Sequence, residues 1–94
     1  MKREEILDAA QQCVCGDREQ DYGSPEHSFT TIANLWNAYI VAATGRCAAL
    51  TEKDVAAMLA LLKIARIATG HAKEDNWVDL AGYAACGGEV DTEG

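Results

Sequence analysis

Apolar residues recur along the chain at spacings of three and four, the period of an α-helix that buries one face. In the first stretch, from about Arg3 to Val14, the pattern is carried by Ile6, Leu7, Ala10, Cys13 and Val14. Gly16 follows directly, and glycine commonly ends a helix because it adopts backbone conformations that other residues avoid. The pattern therefore predicts a first helix that ends just before Gly16.

A second helical pattern follows the polar segment from Asp17 to Gly23. Ser24 and Pro25 are typical of an N-cap and of the first helical position. One stripe of this helix is apolar and consists of Phe29, Ile32, Ala33, Trp36, Ile40 and Ala43. The other side carries Thr30, Asn34 and Asn37. We expect an amphipathic helix that ends at Gly45.

The third pattern begins at Thr51, where the run Thr-Glu-Lys-Asp resembles a capping box with Asp54 in the place of the usual Glu or Gln. We expect the helix to reach about Ala68 and to end at Gly70. At 100° per residue, one broad apolar face contains Val55, Met58, Leu61, Leu62 and Ala65, and the other contains Glu52, Ala56, Lys63 and Arg66. Small residues on the second face, such as Ala56 and Ala60, would let another helix approach.

The fourth helix is predicted to start near Asp75 and to end before Gly87 and Gly88. It passes Trp77, Leu80, Ala81 and Ala84. The acidic residues 86–94 would form a frayed tail. The sum is a single all-α domain over residues 1–94, a compact bundle of about four short helices. Such short, alanine-rich helices bury a modest core, so we also expect a homo-oligomer.

The net charge of the chain argues against some classes of binding partner. The 94 residues include 8 Lys and Arg against 15 Asp and Glu, a net charge of −7. This excess of acids argues against duplex DNA or RNA and against an anionic membrane surface. The apolar run from Val55 to Leu62 is far shorter than the roughly 20 residues of a membrane span. No apolar signal segment follows Met1, and the four cysteines are interpreted as free thiols, so we expect a cytoplasmic protein.

The segment from Asp17 to His27 contains the first candidate binding groups. Glu19, Asp21 and Tyr22 lie there, just before a helix N-terminus that attracts phosphate. The alternative interpretation is a solvated connection in which Tyr22 packs on the core and Ser24 only caps the next helix.

Lys63 and Arg66 are the second candidates, because two cations one turn apart can hold a phosphate or a carboxylate. The alternative is that both extend from a polar face and pair with nearby acids. Asp79 lies in an apolar stretch and needs a partner, for which Lys63, Arg66 or a divalent metal would serve. Asp75 lies one turn earlier, so Asp75 and Asp79 could hold Mg²⁺, although Asp75 also suits a first-turn acid. Tyr83 follows one turn later as a stacking or hydrogen-bonding group.

Three segments carry a family resemblance: REQDYGSP at 18–25, LLKIARI at 61–67 and DNWVDLAGYA at 75–84. In this order they resemble a family of small helical proteins common in phages and prophages. More distantly, their layout is similar to the nucleotide-modification-associated phage domain and to the MazG-like all-α nucleotide pyrophosphatases. Those relatives imply a helical bundle, often oligomeric, that handles nucleotides with Mg²⁺ held by helix carboxylates.

The acidic residues depart from the MazG-like pattern, which has an ExxE motif followed by ExxD on a later helix. Here the fourth helix offers Asp75 and Asp79, and no ExxE lies on the second or third helix. The remaining candidate acids lie in the first helix or the loop: Glu4, Glu5, Asp8, Glu19 and Asp21. Hydrolysis of a nucleoside triphosphate normally requires several carboxylates around one or two metal ions.

The sequence therefore leaves three hypotheses. The first is a phage accessory protein that binds a nucleotide or related phosphorylated ligand without necessarily catalysing a reaction. The second is an anti-defence inhibitor that sequesters a host nucleotide signal or binds a host defence protein. The third is a Mg²⁺-dependent nucleotide pyrophosphatase.

Overall fold

The computed structural model of the chain describes residues 1–16, 25–71 and 73–93, and of residues 25–27 it describes the backbone only. This part of the chain contains four helices and no strand: α1 (Arg3–Cys15), α2 (Pro25–Thr44), α3 (Glu52–Ala68) and α4 (Lys73–Glu93). None of these helices combines the length and the hydropathy needed to cross a lipid bilayer. The predicted all-α bundle of four helices is confirmed.

The ends of α2 and α3 lie where the glycines predict them. Gly45 and Gly70 follow the two helices with φ angles of 73° and 81°, in the left-handed region that favours glycine. After α3, the His71 N–H donates to the Arg66 carbonyl at 3.1 Å and the Gly70 N–H to the Ile67 carbonyl at 3.2 Å. These two bonds form a Schellman motif, which satisfies carbonyls that the helix itself leaves free.

Side-chain hydrogen bonds fix the connection between α2 and α3. The amide of Asn37 forms two bonds with the backbone of Leu50, donating to its carbonyl at 3.1 Å and accepting from its N–H at 3.0 Å. The Thr30 hydroxyl donates to the Glu52 carboxylate at 2.9 Å. Residues on the polar side of α2 therefore hold the start of α3.

The N-terminus of α3 has the predicted capping box. The Asp54 carboxylate accepts hydrogen bonds from the Thr51 N–H at 2.9 Å and from the Thr51 hydroxyl at 3.1 Å. The first of these bonds, and then the second, lowers the pKa of Asp54 below its ordinary value of 3.8. The pKa of Glu52 is lowered from 4.5 by a hydrogen bond from its own backbone N–H and then by the Thr30 hydroxyl. Both carboxylates are therefore stabilised in their charged form.

The core lies where α2, α3 and α4 meet. Its buried cluster consists of Phe29, Ala33, Val55, Ala56 and Cys86, and half-buried Val14, Ile32, Trp36, Leu59 and Tyr83 pack against it. Helix α3 packs mainly on α4, α1 packs on α4, and α2 packs on α3. All four cysteines are free thiols, as predicted.

Helix α4 is longer than predicted. It continues through Gly87 and Gly88 to Glu93, so the predicted helix end before Gly87 is wrong. Gly87 is needed for another reason: a Cβ there would lie 2.8 Å from the Ala56 Cβ. A Cβ at Gly82 would similarly lie 3.2 Å from a methyl of Val14. These glycines allow α3 and α1 to approach α4 closely, while the predicted fraying of residues 86–94 stays a prediction.

The predicted core face of α3 is also wrong in part. Val55 is buried, but Met58, Leu61, Leu62 and Ala65 are exposed, and the core instead receives Ala56 and Leu59. Apolar residues surround α3 on nearly all sides, so the apolar pattern alone does not select a face. The close contact between Ala56 and Gly87 selects it. The apolar stripe of α2 faces the core except at Ala43, while Leu7 of α1 is exposed.

The adjacent glycines of α4 allow a matched test of this contact. We expect Gly88→Ala to stabilise the protein by about 0.5–1 kcal/mol, because no atom lies within 4 Å of the new Cβ and alanine favours a helix. We expect Gly87→Ala to destabilise it by about 1 kcal/mol, because overpacking against Ala56 outweighs the same gain. Urea unfolding measures both, and equal stabilisation would contradict the close approach.

The cap of α3 predicts a pH dependence of stability. A lowered pKa contributes stability that is complete above the ordinary values of 4.5 and 3.8 and is lost as the pH falls through the lower values of the folded state. Between pH 6 and pH 2.5, about 1.5 units above the higher value and about 1.3 units below the lower, we expect the double variant Glu52→Gln, Asp54→Asn to lose less unfolding free energy than the wild type. Asp8→Asn, which removes an acid of α1, should keep the wild-type slope, and identical slopes for all three proteins would refute the assignment.

A polar strip between the third and fourth helices as the candidate site

Helices α3 and α4 run antiparallel and bring several predicted site residues together. Lys63 lies opposite Asp79, and Arg66 lies opposite Asn76. Two of these residues come from each helix, one turn apart, so they form one continuous line. We call Lys63, Arg66, Asn76 and Asp79 the polar strip.

Lys63 is the partner of Asp79. The ammonium lies 2.8 Å from a carboxylate oxygen, with the lysine side chain 16% exposed and that of Asp79 30% exposed. The sequence suggested Lys63, Arg66 or a divalent metal as the partner of Asp79, and the structure shows Lys63. Partial burial strengthens the attraction between the two charges and also costs hydration, so the pair's net effect on stability is small.

Arg66 is oriented by a buried asparagine. Its Nε–H donates to Asn76 Oδ1 at 3.1 Å, and the Asn76 amide nitrogen donates in turn to the His71 carbonyl. Asn76 is only 1% exposed, whereas Arg66 is exposed. The four Nη–H donors of Arg66 form no hydrogen bond with any residue in the described part of the chain. The guanidinium is thus held on one side and open on the other.

Asn76 is a site residue that the sequence interpretation missed. It stands between the candidate acid Asp75 and Trp77, and asparagine in a helix is more often a solvated polar residue. The signal that could have found it is its place one turn before Asp79, on the same side of α4. A residue at that position faces α3 together with the carboxylate.

The other predicted site residues lie apart from the strip. Tyr83 is half-buried against the core cluster, and Asp75 is exposed in the first turn of α4. Among the residues described, no three His, Cys, Asp or Glu side chains are grouped so that they could hold a metal ion. Glu19, Asp21 and Tyr22 lie outside the described residues, so their binding role stays a prediction.

A groove lies further along the same helix pair, beside the N-terminal half of α3. It has a volume of about 370 Å³ and is lined mainly by small residues, with the ion pair of Lys53 and Asp91 at one end (3.7 Å). Tyr83 lines this groove rather than the polar strip. The helix pair therefore offers a polar part near the C-terminus of α3 and a mostly apolar groove near its N-terminus.

Asn76 provides a test of the strip. We expect Asn76→Ala to destabilise the protein by about 2 kcal/mol, because it removes two hydrogen bonds of about 1 kcal/mol each, one from the Arg66 Nε–H and one to the His71 carbonyl. Asn34→Ala, at an exposed position of α2, is the matched control and should be near neutral. Thermal and urea unfolding measure the stability of both variants. Similar stabilities would contradict the structural role described for Asn76.

Comparison with known proteins places the chain in a family. A family model described as a domain of unknown function, DUF6378, matches residues 5–91. The chain is 43% identical to the Gene 55 protein of Mycobacterium phage L5 over 79 residues, covering 84% of the chain and 47% of that protein. It is 36% identical to the Gene 55 protein of Mycobacterium phage D29 over 83 residues, covering 88% of the chain and 51% of that protein.

The chain spans about half the length of the curated relatives it matches. No solved structure matches it significantly. The resemblance to a family of phage proteins is confirmed, while the more distant similarity to MazG-like enzymes is not shown by these matches. Because the family model covers nearly the whole sequence, the chain belongs to the DUF6378 family of small phage proteins.

Proposed function

We propose that this phage accessory protein binds a phosphorylated small molecule, with a nucleotide as the first candidate, and that Arg66 contacts the phosphate. The observation that carries the proposal is the orientation of Arg66 by buried Asn76, with its outer donors open. A guanidinium fork matches two phosphate oxygens, and fixing it in advance lowers the entropy that is lost on binding.

The surroundings of Arg66 favour an anion. Because Asp79 neutralises Lys63, the polar strip keeps one net positive charge in a protein whose overall charge is −7. In the first turn of α4, opposite Arg66, the helix dipole attracts an anion while the carboxylates of Glu74 and Asp75 repel it. The attraction for phosphate therefore comes from Arg66 and Lys63. Lys63, one turn before Arg66, can contact a bound anion while it stays paired with Asp79.

The aromatic and acidic candidates lie outside the polar strip, and we assign them to the other parts of the ligand. Tyr83 is accessible through the groove, and Tyr22, Glu19 and Asp21 precede α2 in the chain. We assign Tyr22 or Tyr83 to the base of a nucleotide and the acids to cations that accompany its phosphates. Asp79 or Asp75 would bind Mg²⁺ only where oxygen atoms of the ligand or further carboxylates complete its coordination.

Binding without hydrolysis fits the described residues best. Asp79 is engaged by Lys63, and the carboxylates of the described part of the chain are not grouped. A binder that does not turn over its ligand can lower the free concentration of a host nucleotide signal, so sequestration in the host cytoplasm is the phage function that we propose. A pyrophosphatase would instead release pyrophosphate in a Mg²⁺-dependent way.

Calorimetric titration tests the proposal with defined probes: nucleoside mono-, di- and triphosphates, cyclic dinucleotides and inorganic pyrophosphate, each with and without Mg²⁺. We expect one of these classes to bind and Arg66→Ala to weaken that binding by about 10- to 100-fold, the value of a charged hydrogen bond. Arg66→Lys, which keeps the charge but loses the fork, should weaken it as well.

Arg46→Ala is the matched control, because Arg46 is exposed on the connection between α2 and α3, away from the strip. It should bind like the wild type. Equal losses for Arg46→Ala and Arg66→Ala would indicate nonspecific attraction of anions, and no heat of binding with any probe would end the proposal. Release of pyrophosphate by the wild type that disappears in Asp79→Asn would favour the enzyme instead.

A further inference from the structure

One side of α3 is apolar and exposed to solvent. Its residues are Ala57, Met58, Leu61, Leu62, Ile64, Ala65 and Ala68, which we call the α3 apolar face. The large side chains are 41%, 62%, 52% and 49% exposed for Met58, Leu61, Leu62 and Ile64. At 100° per residue the seven positions span less than half of the helix circumference, with no charged residue among them. An exposed apolar face of this kind marks a contact surface.

The molecule exposes more surface than a folded monomer of its size. Its accessible surface is 6604 Å², whereas a folded chain of 10.1 kDa exposes about 5300 Å². Its radius of gyration is 14.4 Å, against about 12 Å for a compact domain of this length. A stable dimer buries roughly 800 Å² per partner. The excess surface is therefore large enough to supply one complete interface.

The α3 apolar face adjoins the small-residue groove. In the N-terminal half of α3, Ala57 and Ala60 line the groove together with Ala84, Gly87 and Gly88 of α4. In the C-terminal half, Leu61 and Ile64 project from the same side of the helix. Ala57 belongs to both surfaces, so the groove and the projecting side chains adjoin along one line.

The apolar face of one copy can meet the groove of a second copy whose α3 runs in the opposite direction. A two-fold axis near the middle of the helix places Leu61 and Ile64 of one copy over the groove of the other, and the reverse contact forms at the same time. The apolar positions Ala57, Leu61, Ile64 and Ala68 follow spacings of four, three and four, which suit packing against a second helix with the same spacing. Each copy supplies both the apolar face and the groove, so the dimer needs no further contact surface.

The proposed contact limits the repulsion between two chains of charge −7. The inserted side chains of Leu61 and Ile64 are uncharged, so they bring no carboxylate onto Lys53, Asp54 and Asp91, the charged residues of the groove. Antiparallel helices additionally place their dipoles in the favourable orientation.

We propose that the chain forms a homodimer in which two α3 helices pack antiparallel, each inserting Leu61 and Ile64 into the small-residue groove of the other copy. Lys63 and Arg66 lie on the opposite side of α3, facing α4. The dimer therefore leaves the phosphate contact at Arg66 accessible, but it fills the groove that Tyr83 lines. A nucleotide bound to the dimer would place its base against Tyr22 rather than Tyr83, and phosphate binding and dimer formation are tested separately.

Sedimentation velocity over a wide range of protein concentrations tests the dimer. We expect a monomer–dimer equilibrium in the wild type and an increase of the dissociation constant by at least about 100-fold in Leu61→Glu, which buries a charge at the contact. Leu7→Glu is the matched control, since Leu7 is 64% exposed on α1 and Leu61 is 62% exposed. The control should dimerise like the wild type.

Gly88→Leu separates association from folding. The new side chain enters the groove without meeting an atom within 4 Å of its Cβ, so it fills the place of the partner's Leu61 while favouring the helix. We expect a higher melting temperature of the monomer together with loss of the dimer. A monomer at every concentration overturns the proposal and assigns the face to a different protein or to the extra length present in the relatives. A dimer unaffected by Leu61→Glu and Gly88→Leu also overturns it.

Cross-linking tests the antiparallel direction. In chains with Cys15 and Cys47, the two exposed cysteines, replaced by serine, we expect Ala57→Cys of one copy to form a disulfide with Ile64→Cys of the other. Cross-links between two Ala57→Cys chains should be rare. Preference for the 57–57 pair would overturn the antiparallel arrangement.

Discussion

The contact between Ala56 of α3 and Gly87 of α4 sets the geometry on which the rest of the structure depends. With no side chain at Gly87, the two helices approach until a Cβ there would lie 2.8 Å from that of Ala56. At this separation Lys63 reaches Asp79 and Arg66 reaches Asn76. The same close approach turns the larger apolar residues of α3 away from α4. The polar strip and the α3 apolar face are therefore two consequences of one small-residue contact.

The sequence predicts the number of helices and most of their ends, because these depend on local signals. Gly16, Gly45 and Gly70 end α1, α2 and α3 as expected, and the capping box of Asp54 begins α3. It does not predict the end of α4. Glycine can end a helix or can allow a close helix contact, and only the position of Ala56 shows that Gly87 serves the second purpose.

The faces of the helices are harder to predict for a similar reason. Helix α2 has a polar side, so its apolar stripe identifies the core, whereas α3 is apolar on nearly all sides. Burial then depends on which side allows the closest packing, a property of two helices rather than one. The pairing of Asp79 with a cation was foreseeable from its apolar surroundings, but the choice of Lys63 and the role of Asn76 follow from the antiparallel alignment of α3 with α4.

Asn76 has a further consequence for how reliably the chain reaches this one arrangement. Alanine and glycine surfaces are smooth, and two such helices can slide along each other by a turn with little change in apolar contact. The fully buried Asn76 side chain accepts from the Arg66 Nε–H only in this alignment, while its amide nitrogen donates to the nearby His71 carbonyl. A shifted pair would leave the buried Asn76 oxygen unsatisfied, at a cost of about 1–3 kcal/mol. Asn76 therefore acts together with the Lys63–Asp79 ion pair to select one register of the helix pair.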